Sequence, residues 1–289
     1  MQSPAPTTAP PADPFVTARL ADPARTEIRD PSGALLAEMT DGSRTVAMAG
    51  PTRAFREPGL GTQIVSDRWV RLLPAPYDGT FDASDRAWLS AMLSDRTPDI
   101  LAVAFQYVTG APDIVWDGHT IAGDASYGPV AGADFYDYLG VEWKLGSRTY
   151  QPDPALYGAL DCSGFVRMVF GYRFGLPMSI DPSNLALPRR AKDQVAGAPG
   201  RVLIANSGTQ VTRLGVLRPG DLVFFDASDR DGPGIDHVGI YVGVDAAGNH
   251  RFISSRRTVD GPTIGDVGGA SVINGSGYWA AAFRAVRRL

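Results

Sequence analysis

The feature that most restricts the fold is a succession of strand-like runs near the C-terminal end. GDLVFFD follows the Pro219-Gly220 turn, HVGIYVGV begins at His237, HRFISSRR lies beyond an Asp-Ala-Ala-Gly-Asn turn, and YWAAAFRAVRRL closes the chain. Their β-branched and aromatic content, with short turns between them, predicts neighbouring antiparallel strands. Helix signals come earlier. In DASDRAWLSAML a Ser or Asp cap precedes apolar residues at helical spacing, which predicts a helix over 84–93. Thr97 is expected to cap a second helix with Pro98 at its first position, Leu101, Ala104, Phe105 and Val108 on one face, and Gly110 at its end. Helices ahead of an antiparallel sheet define the α+β class.

Before the helices, TEIRD, ALLAEMT, RTVAMAG and IVSDRWVRLLP are separated by Pro-Ser-Gly, Asp-Gly and Glu-Pro-Gly turn signals, so residues 25–95 read as a small β-rich region. Residues 1–24 open with MQSPAPTTAPPADPF, a Pro/Ala-rich composition that cannot bury a core and is expected to be a disordered linker, its signal or anchor outside this sequence. A frayed terminus of a cytosolic protein is the alternative reading. Residues 96–289 form the remaining unit. Within it, 111–160 carries Gly, Pro, Asp and aromatic residues without periodicity and reads as loop-rich, and PRRAKDQVAG reads as a short helix. A formal net charge of −4 supplies no basic face, which argues against a nucleic-acid partner. No apolar run approaches the roughly 20 residues that span a bilayer.

The chain contains one cysteine, Cys162, so an intrachain disulfide and a multi-thiolate zinc site are excluded, leaving packing or reactivity. In LDCSGFVRMVF, Asp161 is a good N-cap, which puts Cys162 in the first turn of a helix where unpaired N–H groups favour thiolate over thiol. Phe165, Val166, Val169 and Phe170 supply the buried stripe, and the helix is expected to end near Gly171 or Gly175. A nucleophilic thiol needs a base, and the histidines are His119, His237 and His250. His237 opens a strong apolar run directly after another strand, which would hold it rigidly. Buried filler for the cysteine and a surface role for the histidine stay open on these residues alone.

DCSGFV, then LRPGDLVFF, then DHVGIYVG, in that order, resemble the NlpC-type bacterial cell-wall peptidases, a papain-like cysteine peptidase family, over roughly 97–289. The resemblance implies a papain-like core, in which a helix carrying the nucleophile packs on an antiparallel sheet carrying the base. It also implies a cysteine endopeptidase acting on peptidoglycan stem peptides, at the bond between γ-D-glutamate and a diamino acid, through an acyl-enzyme, with no metal or cofactor. Cys162 would be the nucleophile and His237 the base. Asp161 and Ser163 match a pair that binds the substrate amine in some relatives, although for Asp161 the cap role is sufficient alone. A cell-envelope or extracellular location and a monomer are expected.

Two departures from the family pattern stand out. Relatives usually carry a third polar residue, often His, on the strand after the base; here RFISSRR puts Ser254 at that place, while His250 sits beside the hairpin turn, about 13 Å away along the strand. Relatives also carry a Tyr shortly before the cysteine; Tyr127 in ASYGP follows the second helix as that tyrosine does, and Tyr157 lies closer in sequence. Taking Tyr127 makes 130–158 an insertion whose Asp134, Tyr136, Tyr138, Glu142 and Trp143 either wall the cleft or pack on the surface. His119 reads as structural. The alternatives are an amidase or acyltransferase of related chemistry, or a wall-binding module without turnover, with the β-rich region a Src-homology-3-like barrel or an extension of the catalytic unit.

Overall fold

The computed structural model describes residues 13–228 and 232–289. It is a mixed α/β protein built on two larger antiparallel sheets. In the first, β1 (Val16–Ala21), β2 (Ala24–Arg29), β3 (Leu35–Thr40), β4 (Thr45–Arg56) and β5 (Gln63–Leu72) follow one another as a meander. The four runs expected as strands all form, and β1 is a fifth that composition hid. The linker reading of 1–24 is corrected accordingly: Val16–Ala21 pairs in register with β2, Thr17 opposite Ile28, and residues 1–12 lie outside the described residues. Ile28, Met39, Val46 and Met48 bury against Leu89 of α1 (Ala83–Ser94). That helix starts from Asp82, whose carboxylate accepts from Ser84 and Asp85 N–H in a reciprocal capping box.

The second helix is shorter than the spacing predicted. α2 (Ile100–Ala104) is capped by Asp99, not Thr97, and passes into a 3₁₀ turn at Phe105–Tyr107. Asp99 prevails because its carboxylate also accepts from Val70 N–H of β5 and from Arg53 Nη2, contacts that no local pattern reveals. The loop-rich stretch folds into a hairpin of β6 (Ile114–Trp116) and β7 (His119–Ala122), a short α3 (Phe135–Leu139), and a hairpin of β8 (Trp143–Leu145) and β9 (Arg148–Tyr150). After it come α4 (Cys162–Val166) and α5 (Ala191–Gly197), the latter the short helix expected in PRRAKDQVAG.

The second sheet has the order β10-β15-β11-β12-β13-β14, with β10 (Arg201–Ile204), β11 (Leu222–Phe225), β12 (His237–Val244), β13 (His250–Arg256), β14 (Gly261–Thr263) and β15 (Phe283–Arg288). The closing run YWAAAFRAVRRL is helix then strand: α6 (Tyr278–Ala282) precedes β15, because its alanines let one helical turn form before the chain enters the sheet beside β11. Alternation along β12 divides two cores. Val238, Ile240 and Val242 pack with Phe165, Val166 and Val169, whereas Tyr241 joins Phe225, Phe252, Trp279 and Phe283 on the other face. Burying each such side chain is worth about 1.5–3 kcal/mol, so the helix behind Phe165 is firmly seated. The two sheets meet at the chain end, where Arg44 and Thr45 N–H donate to Leu289 O and Arg288 Nη1 donates to Thr40 Oγ1 of β3 at 2.7 Å.

Candidate active site

α4 (Cys162–Val166) begins at Asp161, whose carboxylate accepts from Gly164 N–H at 2.7 Å, and the helical path continues through a π-helical run, Arg167–Arg173. Gly164 has a second use: a Cβ there would stand 2.2 Å from Ala133 O, so only glycine lets α4 lie against the 133–134 backbone. Phe165 and Val166 of this helix are buried in one core with Val238 and Ile240 of β12. The nucleophile candidate is thereby brought to the start of that strand.

Cys162 Sγ–H donates to Asp236 O at 4.0 Å, and the Val238 N–H also points at the sulfur. The thiol thus touches the backbone on both sides of His237. No hydrogen bond joins thiol and imidazole among the described residues, a looseness common where no substrate is present. His237 lines a cavity of about 610 Å³ together with Tyr127, Ala131, Arg256, Tyr278 and Trp279. Cys162 is 7% exposed and lies behind the residues that line this cavity, next to His237.

Electrostatics correct the expectation of a ready thiolate. Burial, then the Asp161 carboxylate, pushes the Cys162 thiol up to about 12, outweighing the neighbouring backbone N–H groups. Burial, then the Arg256 guanidinium, pushes His237 down to about 3. Without substrate the pair is thiol and neutral imidazole.

Asp161 and Ser163, expected to meet the substrate amine, are engaged inside the protein. Burial alone would raise the Asp161 carboxyl, but Arg189 and the N–H groups of Gly164 and Gly132 hold it below the ordinary value. Arg189 donates to both Asp161 oxygens, at 3.1 and 2.8 Å, and to Ser163 Oγ at 2.9 Å. It also lies 3.5 Å from Asp134, which pairs with the buried Arg167. A cation of the protein therefore already sits against the two side chains.

Ser254 is fully buried and accepts from Arg256 Nε at 3.1 Å. It does not serve His237: the imidazole Nε2 is buried with no hydrogen-bond partner among the described residues. The ring is held instead by aromatic contacts, 4.6 Å from the Trp279 centroid and 6.0 Å from Phe225. Arg256 and Trp279 were not singled out in the sequence; an arginine at the end of a strand and a tryptophan near the chain end carry no local signal of a shared site.

Tyr127 is in the cavity with His237, its hydroxyl held protonated by burial and by the nearby Cys162 and Asp161. Tyr157 is 54% exposed and lies elsewhere, in a groove of about 500 Å³ with Asp113, His119, Asp124 and Tyr138. His119 is exposed there and is no core residue. His250 Nδ1 bonds Tyr241 Oη at 2.8 Å at the far end of the hairpin. The 130–158 insertion meets the cavity through Ala131, while Tyr136, Trp143 and Tyr150 stack on one another. Among the described residues no group of three His, Cys, Asp or Glu side chains is placed to hold a metal, and no helix is long and apolar enough to cross a membrane.

A family model described as the NlpC/P60 family matches residues 140–288. The murein DD-endopeptidase MepS/murein LD-carboxypeptidase of Escherichia coli strain K12 is 30% identical over 155 residues, 54% of this chain and 59% of that protein. A probable endopeptidase of Haemophilus influenzae is 35% identical over 154 residues, 53% of this chain and 70% of that protein. A solved structure described as similar to lipoprotein, NLP/P60 family, from Staphylococcus aureus aligns over 70% of this chain and 47% of that one, with 20% identity and a TM-score of 0.32.

Proposed function

The chain belongs to the NlpC/P60 family, and from that premise we propose that it is a cysteine endopeptidase that cleaves peptidoglycan stem peptides, at the γ-D-glutamyl–diamino acid bond, in the cell envelope or outside the cell. The observation that carries the reading is the seat of the Cys162 thiol against Asp236 O and Val238 N–H, on either side of a histidine that faces a substrate-sized cavity. His237 takes the thiol proton as Sγ attacks the carbonyl carbon, and gives it to the leaving amine as the tetrahedral intermediate collapses to a thioester. Water, losing a proton to the same imidazole, then releases the acyl peptide and restores the thiol. The Cys162 N–H, unpaired at the first helical position, is the oxyanion donor, with Tyr127 beside it. The helix against the sheet is taken as a papain-like core, and the meander of the 25–95 region as a wall-contacting unit.

One observation favours a second reading, a wall-binding module without turnover: among the described residues the His237 Nε2 has no hydrogen-bond partner to orient the ring. Incubation with L-Ala-γ-D-Glu-diaminopimelate and its tetrapeptide, with products read by mass spectrometry, separates the readings. Release of L-Ala-γ-D-Glu supports the endopeptidase. Intact peptides after long incubation with folded protein defeat it, and cleavage of another amide shifts the assignment to an amidase.

A further inference from the structure

Arg256 is an uncommon kind of residue. It is 3% exposed, yet among the described residues no carboxylate pairs with it. Its donors go to neutral oxygens: Nε to Ser254 Oγ at 3.1 Å, Nη1 to Gly269 O at 2.8 Å and Nη2 to Ser271 Oγ at 2.5 Å. Its guanidinium carbon lies 4.6 Å from the Trp279 ring centroid and 5.0 Å from that of Phe252, so aromatic faces stand where a counter-ion would. Buried charges are ordinarily paired, because taking one out of water is costly. Burial accordingly lowers the Arg256 guanidinium to about 9, against the longer-range pull of the Glu57 and Asp266 carboxylates. This cation, with no carboxylate in salt-bridge contact among the described residues, lines the cavity with His237, and both rest on Trp279.

A guanidinium has no acceptor and cannot take a hydrogen bond from imidazole. Arg256 thus occupies the neighbourhood of the orphaned Nε2 and opposes the imidazolium that thiol activation requires. The other charged or titratable groups around His237 are Cys162 and Asp161 from α4, Asp236 beside it, Tyr127, Tyr278 from α6, and Arg257, which lines the cavity next to Arg256. Of the carboxylates, Asp161 is held by Arg189 and Asp236 accepts from Ala227 and Ser228 N–H. The cavity lining therefore carries two adjacent arginines, Arg256 and Arg257, against one carboxylate, Asp236, whose oxygens are turned to backbone N–H groups.

We propose that Arg256 is a positioning residue that makes the Cys162–His237 pair respond to substrate: a carboxylate entering the cavity pairs with Arg256, and the proton then passes from Cys162 Sγ to His237. Resting on the hydrolase reading, this names the substrate feature required, an acidic group beside the scissile amide. Before that group arrives, the thiol stays protonated and unreactive. Once it is bound, the positive charge facing the ring is offset, and thiolate and imidazolium form together with no gain or loss of protons overall.

The test follows alkylation of Cys162 in the folded protein by iodoacetamide, which needs no turnover. At pH 7, Arg256→Met is expected to react about tenfold faster than wild type, as one unit of change in the pair's proton affinity would give, while Arg256→Lys stays near wild type. Sodium acetate, exchanged for chloride at constant ionic strength, is expected to speed wild type and Arg256→Lys and to leave Arg256→Met unchanged. Equal rates in wild type and Arg256→Met overturn the inference. Should Arg256→Met fail to fold, the acetate series on wild type decides alone, and a flat response overturns it. A parallel comparison of stem peptides bearing the free glutamyl carboxylate or its carboxamide reads kcat/KM against pH, with the free acid preferred by wild type. If neither peptide is cleaved, the hydrolase reading fails, and the alkylation series still judges Arg256.

Discussion

Replacing Gly164 by alanine tests whether close backbone approach positions the nucleophile. The added Cβ would stand 2.2 Å from Ala133 O and 3.1 Å from Asp134 Cα. An unstrained carbon–oxygen contact is roughly 1 Å longer than the first of these, so α4 and the 133–134 segment must separate by about that much, since no flexible side chain can yield. Ala133 O also accepts from Asp161 N–H at 3.0 Å, so the cap moves with it. The expected loss of stability is about 1–3 kcal/mol. Because Cys162 is two residues away, kcat/KM should fall about 100-fold, the typical effect of a 1 Å misplacement of a reacting group. Gly215→Ala is the control, since nothing stands within 4 Å of a Cβ there. Urea unfolding gives stability, and hydrolysis of the stem peptide under conditions where both variants are folded gives activity. If Gly164→Ala matches Gly215→Ala in both, the close-approach argument is wrong.

Alkylation of Cys162 in the resting protein should be slow at neutral pH and rise steadily toward alkali without an inflection between pH 5 and 8, since the thiol is raised to about 12 and His237 lowered to about 3; a plateau below pH 8 would show a preformed ion pair. Ser254→Ala should leave kcat/KM within about threefold while lowering stability by about 1–3 kcal/mol, the loss of a buried bond to a charged donor; a collapse of activity with stability intact would restore Ser254 as the orienting residue. Asp161→Ala strands Arg189 and uncaps α4, and is expected to cost about 3–5 kcal/mol in thermal or urea unfolding. The folded carboxyl of Asp161 lies below its unfolded value, so its contribution is present above the ordinary carboxylate range and fades as pH falls through the lowered value. Acid titrations should therefore show a smaller loss of stability in the Asp161→Ala protein than in wild type.

What could be read from the chain was local. Asp161 as a cap, Cys162 at the first helical position, and His237 at the start of an apolar strand each follow from neighbours a few residues away, and the structure has all three. The Asp99 cap was misassigned to Thr97 because its stabilising partners, Val70 and Arg53, come from another strand. Strand β1 was hidden because its pairing with β2, and not its own residues, makes it a strand; five of its six positions are exposed outright. The site divides along the same line. Counting along β13 put Ser254 near His237 in sequence register, but the charge state there depends on Arg256 and Trp279, which meet only when α6 closes over the sheet. Likewise the engagement of Asp161 by Arg189 joins residues 28 apart through a connection without periodic pattern.

The central claim is that Cys162 is a nucleophile and not a packed thiol. Wild type and Cys162→Ala, both shown folded by circular dichroism, should be incubated side by side with L-Ala-γ-D-Glu-diaminopimelate, and the products quantified by mass spectrometry. The account predicts release of L-Ala-γ-D-Glu by wild type and none above background by the variant. Equal cleavage by the two proteins would contradict it.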